Sequence, residues 1–239
     1  MEEFEEKIKE INALYSKAIK EADYQEVEKK AQVLEKEMIE AGKDIDETAK
    51  AIMNGYWARY YLAKKFGYID SVIYSRVRSY YSQAENPEVK VAYGYLLAVI
   101  TSELREDSSA AQKINDDIRR LAESTGNITS ILRAINARGL NEMNEKNFEK
   151  AVEIFDEIEK IRISLESFQH AGNIINNRGA SKIRGGIDIS DGVEDLITAA
   201  DYYLDVKPVP LKHIEGIKNR LNEAGEKLIE KAKKLEQSS

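Results

Sequence analysis

Ile135-Asn136-Ala137-Arg138-Gly139 returns 40 residues later, from 135 to 175, as Ile175-Asn176-Asn177-Arg178-Gly179. Four of the five residues are identical. Self-similarity at a period of this length is the mark of a chain built from repeated helical hairpins. The residues after the first copy support that reading. A short polar turn, Asn144-Glu145-Lys146-Asn147, leads to Phe148, Ala151, Phe155 and Ile158. Their 3-4-3 spacing puts all four on one face of a helix. Gly139 has no side chain and Ala151 only a methyl. Two antiparallel helices can approach closely there, while the rings of Phe148 and Phe155 fill the flanks.

Outward from this hairpin, apolar residues recur at helical spacing nearly everywhere and strand-like alternation is hard to find. The pattern predicts helices at roughly 2–21, 25–41, 46–66, 70–84, 88–105, 109–124, 128–144, 148–164, 168–184, 191–204 and 211–236. Asp44 with Glu47, and Asp191 with Glu194, have the spacing of capping boxes. Gly42 and Gly126 fall where a helix ends on a left-handed residue, and Pro87 can open one.

Gly139, Phe148, Ala151, Phe155 and Ile158 resemble the small-aromatic-small-aromatic-apolar pattern of tetratricopeptide repeats. Glu142 departs from it, standing where an aromatic is usual, and no proline closes the repeat. Looser matches run through Ile11, Leu14, Tyr15 and Ala18 to Tyr24, Val27, Ala31 and Leu34, and from Trp57, Tyr60 and Tyr61 to Ile73, Val77 and Tyr80. The resemblance implies an all-α fold, a right-handed superhelix of about five antiparallel hairpins in a single domain over 1–239. The hairpins would lie roughly at 2–41, 46–84, 88–124, 128–164 and 168–204, a wider period than the family's, about 34 residues. After Pro208 and Pro210, Ile214, Ile217, Leu221, Ala224, Leu228 and Leu235 form an apolar stripe on a helix at 211–236. Such a helix would cap the open end of the stack.

The composition excludes several classes of function. The 239 residues are 42% hydrophobic and 33% charged, enough apolar material for a large core. Without cysteine there are no disulfides, no thiolate chemistry and no Cys-ligated zinc. The high Glu and Lys content resembles that of heat-adapted proteins. The N-terminus, Met1-Glu2-Glu3-Phe4, lacks the basic start and apolar core of a signal peptide, so a cytoplasmic location is expected. The longest apolar run, Tyr93 to Ile100, is too short to span a bilayer. A net charge of −7 disfavours nucleic acid and anionic membranes as partners.

Catalytic signals are weak. His170 and His213 are the two histidines, in no metal-ligand spacing. The stretch holding Gly185, Gly186, Asp188, Ser190, Asp191 and Gly192 fails the calcium-loop template and reads as a hairpin turn with a helix cap. No cofactor and no catalytic residues are expected. The 13 tyrosines cluster at Tyr56–Tyr81, at spacings that suit packing between helices.

If 128–144 and 168–184 stand side by side, as the family resemblance implies, one face is the natural binding groove. Taking Ile135 as the packing direction, at about 100° per residue, Arg133, Asn136, Leu140 and Asn144 share an arc of about 80°. Asn173, Asn176, Ala180 and Arg184 occupy the same arc one repeat later. Asn amides offer both a donor and an acceptor to a peptide backbone. From Ser167 to Ile187 there is no Asp or Glu, while Arg178, Lys182 and Arg184 are present. That positive island either favours an acidic peptide or pairs with carboxylates of neighbouring helices. The expectation is therefore a non-enzymatic protein-binding module. The alternatives are a small-ligand receptor or enzyme with a pocket near Trp57 and the tyrosines, and a self-assembling structural subunit.

Overall fold

A computed structural model describes residues 2–67, 71–164, 167–206 and 209–237, and these are helical apart from short connections. The helices are α1 (Glu2–Glu21), α2 (Gln25–Glu40), α3 (Ile45–Phe66), α4 (Ser71–Gln83), α5 (Pro87–Glu103) and α6 (Ser108–Thr125). They continue with α7 (Ile128–Asn144), α8 (Phe148–Phe155), α9 (Phe168–Gly185), α10 (Ile189–Asp205) and α11 (Leu211–Gln237). Asp70, the expected start of the fourth helix, lies outside the described residues, as do Tyr68, Pro208 and the side chain of Leu235.

The end signals act as their chemistry predicts. Asp44 accepts a hydrogen bond from Glu47 N at 2.9 Å and starts α3. Pro87 is the first residue of α5, capped by Asn86. Gly42 and Gly126 are left-handed, with φ of 67° and 61°. Two expectations are corrected. The cap of α10 is Asp188, which accepts from Asp191 N, so Asp191 lies inside the first turn. Asp188 is the residue in extended conformation, which a cap requires. The helix expected to run to 164 ends at Phe155 and tightens into a 3-10 turn, Asp156–Lys160. Arg138 and Arg178, from two different helices, draw down the carboxylates of that turn.

The chain divides into two compact units, 1–130 and 131–239, with the division inside α7. In the first, α2 packs on α3 and α4 on α5, while α5 meets α6. Tyr93, Leu96 and Ile100 of α5 are fully buried among Met38, Ile52, Ile73 and Val77. In the second, α9 is the central element, packed by α8, α10 and α11.

The close approaches explain the small residues. A methyl on Gly139 would stand 2.1 Å from Phe155 Cε1, so the missing side chain makes room for the ring. The equivalent Gly179 faces backbone instead. A methyl there would stand 2.6 Å from the carbonyl oxygen of Gly192, so α9 and α10 cross glycine on glycine.

Within each unit, polar bonds link alternate helices. Asn54 donates to Asn12 at 2.8 Å (α3 to α1), and Tyr93 donates to the carbonyl of Ala49 at 3.0 Å (α5 to α3). Asn127, just before α7, donates to Glu88 of α5 at 2.7 Å. In the second unit Asn177 donates to Asn136 at 3.0 Å (α9 to α7), and Arg220 donates to the carbonyl of Asn176 at 2.9 Å (α11 to α9). These partners lie 39 to 44 residues apart in the chain.

Candidate functional site

The residues expected to line the groove do not share one environment. Asn144 and Arg184 are exposed, and Arg133, Leu140 and Asn173 are half-buried. Asn136, Asn176 and Ala180 are buried. Asn136 Oδ1 accepts from Asn177 Nδ2, so one of the repeated amides joins α7 to α9. Asn173 Oδ1 accepts from the hydroxyl of Tyr203 at 2.7 Å. Asn176 Oδ1 is buried without a hydrogen-bond partner among the described residues.

The repeated arginines are paired inside the chain. Arg138 bonds Glu157 at 3.2 Å. Arg178 forks onto Asp195, with Nη2 2.6 Å from Oδ1 and Nε 3.1 Å from Oδ2. It also reaches Asp156 at 2.9 Å and Glu159 at 2.7 Å. Burial opposes its charge, but these carboxylates hold Arg178 above its usual range. Lys182 pairs with Asp191 and Asp195, and Arg184 with Glu223 at 3.4 Å. The positive island of α9 therefore faces acidic groups of α10, α11 and the 3-10 turn. Glu142, odd for the repeat pattern, is likewise buried and paired, with Lys150 at 2.6 Å.

One cation differs. Arg220 lies on α11, which runs along α9. Its guanidinium donates to two neutral oxygens, Asn176 O at 2.9 Å and Asn177 Oδ1 at 3.4 Å. Among the described residues it forms no ion pair. Burial, and then the nearby charge of Arg184, push its pKa below the usual value. Sequence reasoning missed Arg220. Its one signal is distance, since it follows Asn176 and Asn177 by the same 40-odd residues that separate the other linked helices. His170 is half-buried near Arg133, and burial followed by that charge lowers its pKa to about 4.

α11 meets α10 and α9, with Ile217 and Ala224 of its stripe buried. Ile214 and Leu221 are half-buried, and Leu228 is exposed. The stripe thus packs through its first half.

The tyrosines of the first unit form two groups. Trp57 sits among Tyr60, Tyr61 and Tyr95, with ring centroids 5.6 to 6.1 Å away. Tyr56 and Tyr80 turn elsewhere and both donate to Glu35 Oε1, at 2.9 and 2.8 Å. Burial, then the Glu35 charge, raise both hydroxyls well above the ordinary tyrosine range. Among the described residues no group of His, Asp or Glu is placed to hold a metal ion, and no helix is long and apolar enough to cross a membrane. Comparison with known protein families, curated proteins and solved structures finds no match.

Proposed function

We propose that the chain is a tetratricopeptide-like stack of about five hairpins, at roughly 2–41, 46–84, 88–124, 128–164 and 168–204, closed by α11, and that it binds a peptide segment rather than catalysing a reaction. The observation that carries this reading is the series of bonds between alternate helices, each spanning 39 to 44 residues. Helices linked in that way present a continuous face, which repeat proteins use for extended partners. The face of α7, α9 and α11 is the candidate, with Arg133, Leu140, Asn144, Asn173 and Arg184 accessible on it and Asn136, Asn176 and Ala180 beneath. The charge of Arg220, which forms no ion pair among the described residues and donates to two neutral oxygens, favours an acidic segment.

The test is capture of partners by the full chain from its source cell, followed by binding measurements with Asn144→Ala/Arg184→Ala. Both residues are exposed, so helix content should not change. Affinity for a genuine partner should fall at least about tenfold. A partner that binds the double variant as tightly as the original chain places the interface elsewhere.

A further inference from the structure

The first unit contains a cavity of another kind. Between α2, α3 and α4 lies an open hollow of about 470 Å³. Small-molecule sites commonly span ~300–1,000 Å³. Its apolar lining includes Ala31, Ile39, Ile52 and Val72. Where Gly55 and Ala31 line it, α3 lies close against α2, because a methyl on Gly55 would stand 2.1 Å from Ala31 Cβ.

Two charged groups in this hollow stand out from the rest. Arg59 pairs with Glu28 at 3.6 Å, and Lys36 with Glu40 at 3.7 Å. Glu35, on α2, is different. Its Oε1 takes the hydroxyls of both Tyr56 and Tyr80, which fixes the carboxylate in place. Its Oε2 carries no hydrogen bond among the described residues. Arg76, on α4, lines the same hollow, is exposed, and forms no ion pair among the described residues. One oriented anion and one cation thus line the same hollow and form no ion pair with each other among the described residues, while the charge of Arg76 reaches the two hydroxyls that Glu35 holds.

We propose that this cavity binds an aliphatic α-amino acid, with its ammonium on Glu35 Oε2, its carboxylate on Arg76, and its side chain against Ala31, Ile52 and Val72. A zwitterion answers both charges at once. A simple amine leaves Arg76 unmatched, and a simple acid meets Glu35 with like charge. The inference is independent of the peptide face, which belongs to residues 131–239.

Calorimetric titration of the full chain tests it with L-leucine, 3-methylbutylamine and 4-methylpentanoate. Leucine should bind, and removing either charged group from the ligand should weaken binding at least about tenfold. Glu35→Gln keeps an oxygen for the two tyrosine hydroxyls but removes the charge. Arg76→Ala changes an exposed side chain, so its thermal unfolding should match the original chain. Each variant should lose leucine affinity by at least about tenfold. Absence of binding by any aliphatic amino acid at millimolar concentration overturns the proposal. So does an amine that binds as well as leucine and is indifferent to Arg76→Ala, since that defines a cation site. Should Glu35→Gln fail to fold, Arg76→Ala and the two truncated ligands still decide the matter.

Discussion

Gly179 and Gly216 both lie inside helices, yet alanine at the two positions should move stability in opposite directions. At Gly179 the new methyl would meet the Gly192 carbonyl, a backbone atom that yields only if α10 moves. The expected loss is about 1–3 kcal/mol, even after the gain in helix propensity. At Gly216 no atom of the described residues stands within 4 Å of the new methyl. Alanine there should stabilise by about 0.5–1 kcal/mol. Urea midpoints measure both, and equal shifts would refute the glycine crossing. His170 gives the pH dependence. Its folded pKa of about 4 lies below the unfolded value of 6.5. Between those values the unfolded chain binds the extra proton, so this contribution is intact above pH 6.5 and lost as pH falls toward 4. The original chain should lose on the order of 1–3 kcal/mol more than His170→Gln across that window. Parallel curves would mean that His170 titrates freely in the folded chain.

At the scale of elements, Asp195 is the acidic centre between α9 and α10. It is buried and receives both Arg178 and Lys182. Asp195→Ala leaves two half-neutralised cations and should cost about 3–5 kcal/mol by chemical denaturation, whereas a change below about 1 kcal/mol would show the pair to be solvated. The helices themselves are legible in the sequence, because apolar periodicity and end signals are local. The Gly139–Phe155 contact is legible for the same reason, since both residues belong to one hairpin. The short α8 is not, because its end is set by arginines from α7 and α9. The environment of the groove residues is not legible either. Asn177 bonds both Asn136 and Arg220, yet it lies about 200° from Ile175 around the helix, outside the arc drawn from the packing stripe. Only the position of the neighbouring helices makes it central. Glu35 and Arg76 come from separate helices and belong to no motif, so the hollow between them leaves no trace in local pattern.

At the largest scale, burial differs from helix to helix within each of the two units, so protection should be graded rather than uniform. Amide exchange should be slowest in α5 for residues 1–130 and in α9 for residues 131–239, where burial is greatest. It should be fastest in α1 and in the last turns of α11. Equal exchange in all helices would argue for a single all-or-none unit. The bonds from Asn136 to Asn177 and on to Arg220 carry one more consequence. Apolar stripes alone let parallel helices slide by a turn, about 5.4 Å, with little change in contact. A slip of that size would set Asn177 against Leu132 or Leu140, which have no side-chain acceptor, at a cost of about 1–3 kcal/mol for each stranded polar group. The amides and the guanidinium therefore act as index marks, fixing at what height α9 lies against α7 and α11 against α9.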